Sequence, residues 1–342
     1  MLRRAPLPLL PLLIGALLLT GCATEPPSEP ITTPPEVTTS STPEPVYYSP
    51  LTGRVVADEA STTRPVLAAM VENLPYARPQ SGIVEAGVVF EAIAEADITR
   101  FVLLYQEAEP TLIGPIRSAR QYFIEWMHGF DAALARCGGS LEARTAMASG
   151  AYGLDLDEFS YGGSYWRENA KEAPHNMYTD YTQLKALLAT NEKMTSTFTP
   201  WLRQDGTPAV TPTASVIDLD ISSDEYLNHY EWDAASNTYL RWHNTTVHLD
   251  REQGQVHPNV VIAMRVNEWT VNEGDGARQR IATSSSGSAY VFQNGTMTES
   301  TWVKDSSAAM IRFINAAGED IALNRGQVWI TAVPNDNSIT WR

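Results

Sequence analysis

The order of apolar and polar positions divides the chain into stretches of different texture. Residues 5–19 (APLPLLPLLIGALLL) are almost continuously apolar. Residues 23–50 hold Pro, Thr, Ser and Glu, with almost no large apolar side chain before Tyr47. From Arg64 the texture changes again. RPVLAAMVEN (64–73) reads as a buried strand, and GVVFEAIAE and ITRFVLLYQE read as two strands joined by a tight turn at Ala96-Asp97. The period then becomes helical. In GPIRSARQYF (114–123), Ser118 and Gln121 have capping-box spacing, and Tyr122, Phe123, Trp126, Met127 and Phe130 recur at helical intervals. SLEARTAMASG and DYTQLKALLATNEK predict two further helices, the first ending at Gly150. Beyond about Thr197 the helical signal fades. SVIDLDIS alternates apolar with acidic, YEWDAASNTYLRW reads as a hairpin and NVVIAMRV as a strand. Asn294-Gly295 between two strand-like runs is a type I′ hairpin cue, and GEDIALNRGQVWITAVP predicts another pair of strands.

These elements predict an α+β protein. A lipoprotein signal (1–21) and a disordered Pro/Thr-rich tether (22–50) lead into a mixed α/β domain (51–205) and a β-rich domain (206–342). The apolar run is too short for a durable membrane span. It follows Arg3 and Arg4 and ends in Leu19-Thr20-Gly21-Cys22, the pattern of a bacterial lipobox. The expectation is therefore a mature chain starting at a lipidated Cys22, held on the outer side of a bacterial membrane by its acyl chains. Such a tether, extended at about 3.1 Å per residue, reaches up to roughly 80 Å from the membrane. With Cys22 lipidated, Cys137 has no disulfide partner.

The 342 residues carry a net charge of −16, and 20 of the 24 basic residues are arginine. An acidic chain does not present the basic face that non-specific nucleic-acid binding needs, so no nucleic-acid partner is expected. A local basic pocket remains compatible with this balance.

Arg117 and Arg120 stand where a helix is predicted to begin. A cation there is unfavourable by about 0.3–1 kcal/mol, and free backbone N–H groups favour an anion. The anion is either internal (Glu85, Glu91 or Glu95 of the preceding strands) or an external carboxylate or phosphate. Glu91 and Glu95, on one strand, would face the same side about 13 Å apart. That exceeds the spacing of a glycosidase pair, which leaves pairing with an acid of a neighbouring strand such as Glu72. CGGS (137–140) is a turn suited to close ligand approach at Ser140, without the spacing of a nucleophile elbow or a Walker loop. YWRENAKEAPHNMY (165–178) places Arg167, His175 and Asn176 in a polar loop. His243, His248 and Asp250 offer too few ligands for zinc. No metal and no cofactor are expected.

Several stretches together resemble the YerB-like bacterial lipoproteins, a family built from a domain of unknown function. They are MVENLPYARPQSGIVEAGVVFEAIAEADITRFVLLYQ, IGPIRSARQYFIEW, GGS, WRENAKEAPHNMYT, HLDREQGQVHPNVVI and GQVWITAVP. Ala96-Asp97 stands where that family usually has two glycines, and Arg136 where it often has histidine. The resemblance implies a two-part extracytoplasmic lipoprotein without an established reaction. It also gathers Arg78, Glu85, Glu91, Glu95, Arg100, Arg117, Arg120, Ser140, Arg167, His175 and Asn176 into one candidate site. The leading expectation is ligand binding by Arg78, Arg100, Arg117, Arg120, Ser140, Arg167, His175 and Asn176. The ligand would be an anionic wall-polymer fragment or the carboxylates of an envelope protein. The alternatives are an envelope hydrolase or transferase using Glu91 or Glu95 with His175, and a scaffold or regulator of wall-synthesis enzymes.

Overall fold

Leu67–Glu72, with all six residues buried, runs inside a ten-stranded mixed sheet. The computed structural model describes residues 44–272 and 276–342. The signal sequence, Cys22 and most of the predicted tether lie outside the described residues. The end of the tether segment belongs to the fold: Tyr47–Tyr48 pairs antiparallel with Val55–Val56, and the buried Ser49 donates to Glu107 Oε2 at 2.8 Å.

In spatial order the sheet runs Arg312–Ile314, Thr296–Val303, Ser286–Gln293, Val260–Val266, Val328–Pro334, Val88–Glu95, Ile98–Tyr105, Leu67–Glu72, Ala133–Arg136 and Asp155–Asp157. Strands from before and after residue 205 thus share it. The junction is the parallel pairing of Val328–Pro334 with Val88–Glu95. A strand buried on both faces must be apolar on both, which is why VVFEAIAE and ITRFVLLY read as nearly continuous apolar runs.

Even-numbered residues of the central strands (Met70, Phe90, Val102, Leu104) pack beneath the helix Gln121–His128 through Tyr122, Phe123, Trp126 and Met127. The helix Leu141–Ala148 adds Ala143 and Met147 to this layer. Odd-numbered residues (Val71, Val89, Phe101, Leu103) face the helix Tyr181–Thr190 and a second, five-stranded sheet. That sheet runs Thr246–Val247, Thr238–His243, Asn228–Asp233, Val216–Leu219 and Ile339–Trp341.

The three hairpins read from the sequence form, among them Asn228–Asp233 with Thr238–His243. Asn294 and Gly295 have φ of +59° and +75° between Ser286–Gln293 and Thr296–Val303, as a type I′ turn requires. The Ala96-Asp97 turn joins Val88–Glu95 to Ile98–Tyr105, with Ala96 at φ +47°. Two expectations are corrected. The two strands read in 318–334 form but do not pair with each other, because Leu323–Asn324 pairs with Arg203–Gln204 while Val328–Pro334 enters the central sheet. Ser118 does not cap the first helix, which begins at Gln121 after an extended Arg120 with φ −126°. The backbone of 116–119 is already committed to its neighbours: Arg117 N donates to Met70 O at 2.9 Å and Ala119 N to Gly138 O at 3.1 Å. Those bonds hold the segment extended.

Candidate functional site

The fold sorts the predicted residues into two clusters, and a bulge decides which acid goes where. Glu91 lies opposite Phe101 and faces the five-stranded sheet. The register then slips between Ile93 and Glu95, so Glu95 lies opposite Ile98. One extra residue reverses the side-chain alternation. Glu91 and Glu95 therefore lie on opposite faces, and the expectation of a common face is corrected.

The Glu91 cluster is sealed. Glu91 and Arg241 are both 0% exposed, with Arg241 Nη2 2.9 Å from Glu91 Oε2. Asn228 Nδ2 and Trp329 Nε1 donate to the same oxygen at 2.7 and 3.1 Å. Thr99 donates to Oε1 at 3.1 Å. The Arg241 guanidinium lies 4.4 Å from the Trp329 ring centroid. It also donates to His243 Nε2 at 3.1 Å and to His248 Nδ1, so both imidazoles accept and are neutral there. Burial, reinforced by the Arg241 charge, holds both histidines well below their ordinary pKa. Asp250 is apart from them, accepting from the backbone N–H groups of Ile83 and Val84 at 2.6 and 3.2 Å. A satisfied ion pair bridging two sheets is a structural device, which removes Glu91 as a partner for His175.

The second cluster reaches the surface. Glu95, 36% exposed, receives Arg100 Nη2 on one oxygen and Arg120 Nη2 on the other, each at 2.9 Å. Arg100 and Arg120 are 1% and 4% exposed. Burial raises the Glu95 pKa, and the two arginines more than reverse this, leaving it below the ordinary carboxylate value. Burial, then repulsion from Arg100, draws the Arg120 guanidinium down to about 10 despite Glu95, and Arg278 adds to the repulsion. One carboxylate thus serves two buried cations.

Glu72, at the end of Leu67–Glu72, is 2% exposed and holds two partners. Arg117 Nε lies 3.0 Å from Oε1, close enough for an ion pair though off the hydrogen-bond line. His175 Nδ1 is 2.9 Å from Oε2. The carboxylate on His175 is therefore Glu72, and the expected pairing of His175 with Glu91 or Glu95 is corrected. The Arg117 and His175 side chains are 22% and 20% exposed. Arg117 Nη1 and Nη2 and His175 Nε2 meet no partner among the described residues.

The remaining candidates hold the surroundings in place. Arg78 donates to Asn73 and to Glu225, the latter at 2.6 Å. Ser140 Oγ caps the helix Leu141–Ala148, accepting from Ala143 N at 3.3 Å. Asn176 accepts from Arg167 Nη1 at 2.9 Å and donates to Glu168 O and Lys171 O, so its amide ties the loop that carries His175. Arg167 has no acid partner among the described residues. Glu85 is half-buried, its carboxyl raised by burial and by Asp250. Arg136 bonds Asp155 at 2.5 Å and Asp157 at 3.0 Å.

A cavity lies elsewhere. About 780 Å³, it is lined by Phe198, Trp201, Met310 and Phe313 among others; of its charged lining residues Arg312 pairs with Asp320, and Asp131 pairs with Lys193 beyond the lining. Size alone therefore does not choose it. Among the described residues no group of three or more His, Cys, Asp or Glu side chains is placed to hold a metal ion. No helix among them is long and apolar enough to cross a membrane.

Sequence reasoning did not reach Arg241 or Asn228, whose strands pair with Glu91 only through tertiary structure. The signal for Glu72 was present: an acid directly after a fully apolar run, AAMVEN.

Comparison with known proteins supplies the family. Residues 51–195 match the protein of unknown function DUF3048 N-terminal domain, and residues 217–330 match its C-terminal domain. A relative from Bacillus subtilis (strain 168), described as "Putative lipoprotein YerB", is 33% identical over 295 residues, 84% of this chain and 86% of the relative. The crystal structure of the YerB protein from Bacillus subtilis superposes with a TM-score of 0.76 at 30% identity, covering 86% of this chain and 99% of that one. The chain belongs to the YerB-like family, built from the N- and C-terminal DUF3048 domains.

Proposed function

We propose that the chain is a cell-envelope lipoprotein, anchored through lipid on Cys22, that binds an anionic group at Arg117, beside His175. The anchoring follows from the LTGC pattern and the description of the relative as a lipoprotein. The binding rests on one observation above all: among the described residues Arg100, Arg117 and Arg120 have only Glu72 and Glu95 as acid partners, and the terminal nitrogens of Arg117 meet none. A planar guanidinium with two free N–H groups is pre-formed for bidentate carboxylate or phosphate. Calorimetric titration with inorganic phosphate and with acetate tests this. Binding to the wild type, weakened at least tenfold in Arg117→Gln with its ligand-free melting temperature retained, is expected. Equal affinity in the two proteins, or no binding to either, would falsify the proposal.

A second reading has its own support. With Nδ1 on Glu72, His175 presents Nε2 outward as an acceptor, the arrangement of a general base and its orienting carboxylate. Hydrolysis of an aryl ester by wild type and His175→Gln separates the two readings. Equal rates would leave binding alone.

A further inference from the structure

We infer that the anionic ligand is a saccharide: a sugar chain that carries its acid at Arg117 and lays ring faces on Tyr76 and Phe159. This rests on the anion reading of Arg117 and adds the chemistry on either side of it.

Tyr76 and Phe159 are each 78% exposed, more than any other aromatic side chain among the described residues. One solvated ring needs no explanation. These two, however, are each linked to Arg117 through a short chain of neighbours. On one side Tyr76 lies 6.3 Å, ring centroid to ring centroid, from His175, whose Nδ1 bonds Glu72, whose other oxygen holds Arg117. On the other, the Arg117 carbonyl accepts from Cys137 N at 3.1 Å, and Gly138 follows. A Cβ on Gly138 would stand 3.4 Å from Phe159 Cε2 and 3.9 Å from Ser118 Oγ. The glycine, at φ +70°, thus leaves a bare floor between the ring and the hydroxyl. From Tyr76 the order ring, imidazole, carboxylate, guanidinium runs contact by contact, and from Arg117 to Gly138 and Phe159 it runs through the backbone of Arg117 and Cys137.

Each part makes a separate demand. The guanidinium asks for a carboxylate or phosphate. The rings ask for flat C–H faces. Gly138 and the Ser118 hydroxyl leave room for a polar ring edge. An inorganic anion satisfies only the centre, and an aliphatic acid leaves the rings in water. A sugar ring bearing an acid satisfies all three, whether the acid is a sugar carboxylate or a sugar phosphate.

Calorimetric titration of the full chain, held in detergent, tests this with five probes: trigalacturonate, glucose 6-phosphate, neutral maltotriose, inorganic phosphate and acetate. The expected result is that at least one acidic saccharide binds ten times more tightly than maltotriose and than the bare anion of its own kind. Which one does so identifies the acid. Tyr76→Ala and Phe159→Ala, both surface changes, should each weaken that saccharide at least fivefold and leave inorganic phosphate unchanged. Saccharide affinity unmoved by either ring substitution, or bare anions binding as tightly as acidic sugars, overturns the saccharide while leaving the anion site at Arg117. Loss of no ligand in Arg117→Gln overturns both.

Discussion

Glu91 and Glu95 are the same amino acid four positions apart, yet their surroundings give them different work. Glu91 is fully buried and accepts from Thr99, Asn228, Trp329 and Arg241, while Glu95 is 36% exposed between Arg100 and Arg120. Removing one member of a buried ion pair leaves the other charge unmatched, which costs about 3–5 kcal/mol, whereas replacing both by apolar groups is often nearly neutral. Glu91→Gln should therefore lower the unfolding free energy by about 3–5 kcal/mol, and Glu91→Gln with Arg241→Met should cost clearly less than the sum of the two single changes. Urea unfolding of the four proteins in the cycle measures this. Additive costs would show that the pair is not coupled. Glu95→Gln should cost less than Glu91→Gln, because water screens a carboxylate that is one-third exposed. Its effect belongs to binding: with Glu95 neutral, the surplus of positive charge near Arg117 grows, and phosphate should bind more tightly.

The turn between Val88–Glu95 and Ile98–Tyr105 shows how local sequence and local geometry meet at the level of elements. Ala96 occupies a left-handed conformation at φ +47°, in which a Cβ costs about 1–2 kcal/mol. Glycine removes that cost but adds freedom to the unfolded chain, worth up to about 1 kcal/mol. Ala96→Gly should thus stabilise the protein by roughly 0.5 kcal/mol, visible as a rise in the urea midpoint with unchanged slope. A fall would mean that the turn relaxes without strain. Elements of this kind were legible because their determinants are neighbours in sequence: the Asn294-Gly295 turn, the helical period of Tyr122, Phe123, Trp126 and Met127, and the apolar run of Leu67–Glu72. What was not legible depends on distant partners. The capping-box spacing of Ser118 and Gln121 is real, but backbone bonds from Met70 and Gly138 hold the intervening segment extended. The Ile93/Glu95 bulge has no local signature, and it alone decides that Glu95, and not Glu91, meets Arg120. The sequence therefore named several residues that cluster, but not which of them pair.

Across the whole molecule, buried titratable groups set how stability follows pH. His243 and His248 are held well below 6.5 by burial and by Arg241, and His128 is lowered by burial and Lys304. A depressed histidine pKa means that below about 6.5 the unfolded chain takes a proton the folded state refuses, so stability is complete above that pH and declines beneath it. Two carboxyls work in the opposite direction, Glu85, raised by burial and by Asp250, and Glu268. Burial raises the Glu268 carboxyl to about 7, so between its ordinary value and 7 the folded state keeps a proton the unfolded chain releases. Each proton of difference changes stability by about 1.4 kcal/mol per pH unit. Two fully buried histidines outweigh the carboxyls, which leaves a net uptake on unfolding of roughly one proton by pH 5. Glu95 adds nothing in that window, because its lowered pKa matters only below the carboxylate range. The melting temperature should therefore fall steadily from pH 6.5 to pH 5, ahead of any carboxylate-driven acid unfolding. His243→Asn with His248→Gln should melt lower at pH 7.5 yet show a flatter profile, and Glu268→Gln should show a steeper one. If the double histidine variant kept the wild-type slope, the acid sensitivity would lie outside the Arg241 cluster, and the joint between the two sheets would not be what acid opens first.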